Sequence, residues 1–207
     1  MRLFGSSIVA LCALLCSLSA SAGGTPGQFD YWVLSLSWSP EFCVSNFGDE
    51  ECRQPRDFVV HGLTPRNEVG RSPSSCGDRE RISKDLLVRM LPLMASEARI
   101  QREWNVHGSC SGADQQTYFE LIERARRKLE IPDVYEAPEK RIVSSHDEVL
   151  RTFRSTNPDF ANEDFALNCR GSWLQEVQVC FDRDLNPRAC AANVENDCGS
   201  KLLMRSR

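Results

Sequence analysis

Apolar and polar residues alternate over residues 28–39. Trp32, Leu34, Leu36 and Trp38 fall on one side, and Tyr31, Val33, Ser35 and Ser37 on the other. A period of two with one strongly apolar face predicts a β-strand. A second strand is expected over 57–63, where Phe58, Val59 and Val60 form a short apolar run, and a third over 175–181, where Val177, Val179 and Phe181 share a face. Between them the period changes to that of a helix. Residues 84–95 follow a Ser83 N-cap, and 99–106 and 115–130 continue the helical pattern, the last with Phe119, Ile122, Ala125 and Leu129 in register. Residues 145–154 open on a capping box, Ser145 with Glu148 three positions on. Strands at both ends with helices between them predict an α+β fold, a central antiparallel or mixed sheet flanked by helices. No internal repeat and no shift in composition divides the chain.

The first 22 residues follow another pattern. Arg2 precedes an apolar stretch from Leu3 to Leu18, and Ala20-Ser21-Ala22 provides small residues before Gly23. This reads as a secretory signal peptide over 1–22, with one mature domain over 23–207. No later apolar run approaches the roughly 18 residues of a membrane helix. A secreted or periplasmic, non-membrane protein is expected. With 207 residues, one domain with a real core fits the length. The net charge of −4 argues against gripping duplex DNA by bulk electrostatics, though local phosphate binding needs only one or two cations.

Beyond the leader, eight cysteines remain: Cys43, Cys52, Cys76, Cys110, Cys169, Cys180, Cys190 and Cys198. An even number in an exported chain implies disulfides, but eight cysteines allow 105 pairings. No C-x-x-C pair exists, so a zinc ribbon is not expected.

The chain has three histidines. His61 ends the second strand, in Val59-Val60-His61-Gly62-Leu63-Thr64-Pro65. His107 lies in Arg102-Glu103-Trp104-Asn105-Val106-His107-Gly108-Ser109-Cys110, four residues after Glu103, which on a helix puts carboxylate and imidazole on one face. Two imidazoles at one site can act as general base and general acid near neutral pH. A Glu/His pair at this spacing also occurs on ordinary solvated helix faces. His146, in the first turn of its helix, reads as surface.

The two histidine segments resemble the motifs of the ribonuclease T2 family, close to F-x-x-H-G-L-W-P and H-E-W-x-K-H-G-T-C. Residues 31–43 are similar to that family's opening strand and Val177-Gln178-Val179-Cys180-Phe181-Asp182 to its late strand, so the resemblance spans about 29–198. It implies a disulfide-stapled α+β fold and an endoribonuclease without metal or organic cofactor, monomeric by family default. Single-stranded RNA would be cleaved to 2′,3′-cyclic phosphate ends, which water can then open. Carried over by position, His107 is the base, His61 the acid and Glu103 the supporting carboxylate, with Arg102, Trp104 and Thr64 at substrate-binding positions. The implied disulfides are Cys43–Cys52, Cys76–Cys110, Cys169–Cys198 and Cys180–Cys190.

Three positions depart from the family pattern: Arg102 replaces a histidine, Val106 a lysine, and Thr64 a tryptophan. Arginine retains a phosphate-binding fork without a pH switch. Valine removes a cation from the phosphoryl group, and threonine removes a stacking ring worth about 1–3 kcal/mol. These changes imply reduced or altered activity. The alternative is a catalytically inactive scaffold acting as an RNA- or protein-binding effector.

Overall fold

The computed structural model describes residues 23–54 and 56–207, so the expected leader lies outside the described residues. The elements are β1 (Tyr31–Trp38), α1 (Ser39–Ser45), β2 (Phe58–Arg66), α2 (Lys84–Met94), α3 (Glu97–Val106), α4 (Gln115–Arg127), β3 (Ile142–Ser144), α5 (His146–Thr156), β4 (Phe165–Arg170), β5 (Trp173–Phe181) and β6 (Leu202–Met204). The sheet runs β2-β1-β5-β6-β3, with β4 also paired to β5. All pairings are antiparallel except Trp173 with Leu203, which makes the sheet mixed.

The alternation in β1 sorts its two faces. Trp32, Leu34, Leu36 and Trp38 join Val60, Leu63, Val177 and Val179 in the main core, against Met90 of α2, Ile100 of α3, Phe119 of α4 and Phe153 of α5. The longer helices therefore cover one face of the sheet rather than both. On the opposite face Tyr31 and Val33 pack with Ala166, Cys180 and Val194 in a small second cluster. Further along the same face the residues turn polar. Cross-strand partners share a face, and here Ser35 stands opposite Gln178, Ser37 opposite Glu176, and Thr64 opposite Val33. This part of the sheet is not needed for the core.

Helix starts follow their caps. Ser83 accepts from the Leu86 N–H, Ser96 from Arg99, Asp114 from Thr117 and Ser145 from Glu148. The Ser96 cap starts α3 at Glu97, two residues before the expected 99. Only half of the expected capping box forms at α5: the Glu148 carboxylate accepts from the Ser144 hydroxyl at 2.8 Å. β2 runs three residues past Leu63, through Pro65. It is an edge strand, so the missing proline N–H breaks no ladder bond. α1, β3, β4 and β6 have no counterpart among the expected elements; all four are seven residues or shorter.

The disulfides are Cys43–Cys52, Cys76–Cys110, Cys169–Cys198 and Cys180–Cys190, the pairing the family resemblance implies. Cys76–Cys110 fastens the loop after β2 to the turn that ends α3.

Candidate active site

His61 sits at an irregularity in the sheet. In the β1–β2 ladder Ser35 faces Gly62 and Leu36 faces Val60, so His61 is the extra residue of a β-bulge. Bulges re-aim a side chain that a regular pleat would direct elsewhere. The His61 imidazole, 41 % exposed, meets Glu176 of β5, with Nδ1 bonded to the Glu176 carboxylate. Phe42 of α1 is edge-on to the ring at 6.5 Å.

Glu103 projects from α3 into the protein rather than along a solvated face. It is buried, and its Oε1 accepts from the Leu63 N–H at 3.0 Å and from the Tyr118 hydroxyl at 2.8 Å. The same hydroxyl lies 2.9 Å from the Leu63 carbonyl, so its one hydrogen is shared between two acceptors. Burial, then the Glu103 charge, push the Tyr118 phenol well above its usual 10.0, which keeps it a donor. Gly62 makes this approach feasible: a Cβ there would lie 2.0 Å from Glu103 Oε1. The carboxylate thus clasps the strand carrying His61 to the helix that leads into His107.

His107 is the C-cap of α3, its N–H bonded to the Glu103 carbonyl at 2.9 Å. Gly108 follows because a side chain would collide with Trp104 and Tyr118, at 2.5 and 2.8 Å from a Cβ. Burial lowers the His107 pKa from the usual 6.5. The Glu103 charge opposes this, while His61, Arg102 and Arg66 add positive potential in the same direction as burial. Those four groups therefore act on one imidazole, and His61 lies within electrostatic reach of His107.

The remaining expected residues separate. Arg102 is exposed at the helix surface, and Thr64 is half-buried on the polar sheet face. Trp104 is 6 % exposed and packs in the core beside Tyr118, so its ring offers no open platform for a base. Val106 is half-buried, its carbonyl accepting from the Ser75 N–H at 2.7 Å. His146 is half-buried rather than free at the surface, with its ring nitrogens on Asn196 at 2.8 Å and Asp147 at 3.1 Å. Sequence reasoning missed Glu176 and Tyr118. The available signal for Glu176 was its place between the apolar positions of β5, on the face that Gln178 also occupies. Among the described residues no group of three or more His, Cys, Asp or Glu could hold a metal ion.

Chemically, the site offers one imidazole backed by a carboxylate and a second whose neutral form is favoured by burial. Such a pair can donate a proton on one side of a reacting centre and accept one on the other. Known proteins with similar sequences bear on this arrangement. A ribonuclease of Aeromonas hydrophila is 38 % identical over 117 residues, covering 56 % of this chain and 54 % of that one. A probable ribonuclease of Haemophilus influenzae is 32 % identical over 178 residues, covering 78 % of this chain and 61 % of that one. The chain thus spans between half and two thirds of the length of these relatives. A variant of RNase MC1, a bitter gourd seed ribonuclease, solved in complex with 5′-UMP, shares the fold at a TM-score of 0.68. It is 20 % identical, and the alignment covers 84 % of this chain and 97 % of that one. The model of the ribonuclease T2 family matches residues 29–190, a span that contains the bulged His61 strand, the Glu103 clasp and His107 together, and the chain belongs to that family.

Proposed function

We propose that the chain is an exported endoribonuclease that cleaves single-stranded RNA by transphosphorylation. His107 takes the proton of a ribose 2′-hydroxyl as its oxygen attacks the neighbouring phosphorus. The P–O2′ bond forms and the P–O5′ bond breaks. His61 gives a proton to the departing 5′-oxygen, leaving a 2′,3′-cyclic phosphate. Water, activated in the reverse sense, can open the ring to a 3′-phosphate. RNA supplies its own nucleophile beside the phosphorus, so alignment and proton transfer are the main demands. Side chains meet them without a metal or organic cofactor. Glu103 supports both histidines through its clasp and its charge, and Arg102 offers a permanent cation to the phosphate.

The observation that carries this reading is the clasp. Glu103 Oε1 bonds the backbone two residues after His61, and the same helix delivers His107 one turn later. A buried carboxylate satisfied by two donors fixes the spacing of its neighbours far better than two loops could. The lowered pKa of His107 also suits a base, since more of it is neutral in mildly acidic solution. The departures at Val106 and Thr64 motivate a second reading, a scaffold that binds RNA or a protein without cutting.

One assay separates the two. Oxidised protein from residue 23 onward is incubated with single-stranded RNA without metal, from about pH 4 to 8. His61→Ala and His107→Ala are run alongside, and product ends are examined. Cyclic phosphate ends from the wild type that vanish in both variants support the nuclease. A folded wild type that binds RNA without producing ends supports the scaffold.

A further inference from the structure

The sheet face that holds His61 carries a second carboxylate that no motif assigns. Glu176 lies in the middle of β5, paired across to Ser37 on β1 and to Asn168 on β4. Its side chain is only 17 % exposed, yet it faces a ring that is 41 % exposed. One oxygen meets His61 Nδ1 and the other accepts from Gln178 Nε2 at 3.2 Å. A core carboxylate would not need this support, and an exposed one would not be held by two side chains. Burial pushes the Glu176 carboxyl up, but the bonds from His61 and Gln178 and the imidazole charge outweigh it and hold it below the usual range. An ionised carboxylate can only accept, so Nδ1 carries the hydrogen and Nε2 is the nitrogen left for substrate.

We propose that Glu176 is the positioning residue of the general acid: it fixes the His61 ring in one orientation and one tautomer, with Nε2 turned to the leaving oxygen. This rests on the ribonuclease reading above. The carboxylate touches no reacting atom. It holds the bulged His61 side chain against rotation. The other charged groups around this pair are His107 across the site, with Arg102, Arg66 and Glu103 acting on it. On the β4 side stands Asn168, whose amide is bonded to Glu195. β1 presents Ser35 and Ser37, and α1 the Phe42 ring, with its buried Glu41 held by Gln175, Arg170 and Arg205.

The test uses two leaving groups. Glu176→Gln and Glu176→Ala are compared with wild type on a dinucleotide, whose 5′-alkoxide needs a proton to leave, and on a nucleoside 3′-(4-nitrophenyl phosphate), whose leaving group does not. The expected result is a fall in kcat of about ten- to a hundredfold on the dinucleotide, within the reach of one acid–base group. KM should stay within about twofold, and the nitrophenyl ester should lose little, because its cleavage bypasses the acid. Glu176→Asp should recover part of the rate. Equal losses on both substrates, or none, would overturn the proposal. The ring ¹⁵N signals of His61 give a readout independent of turnover. In the wild type at high pH they should report hydrogen on Nδ1, and in Glu176→Ala a shift toward hydrogen on Nε2. Unchanged ring signals overturn the proposal. A wild type with no nuclease activity but the expected ring signals would instead refute the ribonuclease reading alone.

Discussion

Replacing Gly62 with alanine tests the clasp on which the site is built. The new Cβ would lie 2.0 Å from Glu103 Oε1, 2.1 Å from Cδ and 2.3 Å from Oε2. To go from 2.0 Å to the 3.4 Å of ordinary contact, the carboxylate must retreat by more than an ångström. Its bonds to Leu63 N–H at 3.0 Å and Tyr118 Oη at 2.8 Å then break. Each buried donor left without a partner costs about 1–3 kcal/mol, and overpacking a filled site adds about 1–3 kcal/mol. The Tyr118 hydroxyl keeps the Leu63 carbonyl as acceptor, so one orphaned N–H and the overpacking together cost about 2–6 kcal/mol out of a total stability of the order of 5–15 kcal/mol. Guanidinium unfolding of the oxidised protein should show a lower midpoint with an unchanged slope. The double variant Gly62→Ala/Glu103→Ala locates the cause. If the clash is with this carboxylate, removing it makes room, and the two changes together cost less than their sum by about 1 kcal/mol or more. A Gly62→Ala protein within about 0.5 kcal/mol of wild type, or strict additivity in the cycle, would refute the clasp.

Other expectations concern protons, charge and the disulfide frame. Burial lowers the His107 pKa from 6.5, and a base must be neutral to act, so the acid limb of kcat/KM should lie below 6.5. Glu103→Gln removes the charge that opposes this, and the limb should move lower still; a shift upward would contradict the sign. The unfolded chain protonates this histidine first as pH falls, so the stability from its neutral burial should fade below about 6.5, as unfolding curves from pH 7 to 5 would report. Arg102→Gln should raise KM for RNA and flatten its salt dependence; identical salt slopes would remove Arg102 from the phosphate site. Val106→Lys should raise kcat, by up to about the 10² that one transition-state contact supplies, and no gain would mean that the position is remote from the phosphate. Cys76→Ser/Cys110→Ser opens a link between residues 34 apart and should cost about 3–4 kcal/mol in chemical denaturation.

Local order was legible without coordinates. The alternation in β1 foretold which side chains enter the core, because a strand's period of two is set by its own backbone. The starts of α2 and α5 followed from Ser83 and Ser145, since a cap satisfies N–H groups a few residues away. His61, Glu103 and His107 could be named from their segments. What the residues alone left open was each side chain's partner. Spacing could not choose among the cysteine pairings; the family resemblance did so, and the fold brings those cysteines together.

The tertiary structure decided the rest. Glu103 could have been a solvated neighbour of His107. The packing of α3 beneath β2 turned it onto Leu63 and Tyr118, and a buried carboxylate must find donors. Trp104, read as a substrate contact, went into the core for the opposite reason, because its large apolar ring gains most from leaving water. The bulge at His61 exists only in the register of β2 against β1. Glu176 reaches His61 across 115 residues because β5 pairs with β1 on its other side. Strand register and strand order are agreements between distant segments. A periodic pattern within one segment fixes its own faces, but not what another segment will bring to meet them.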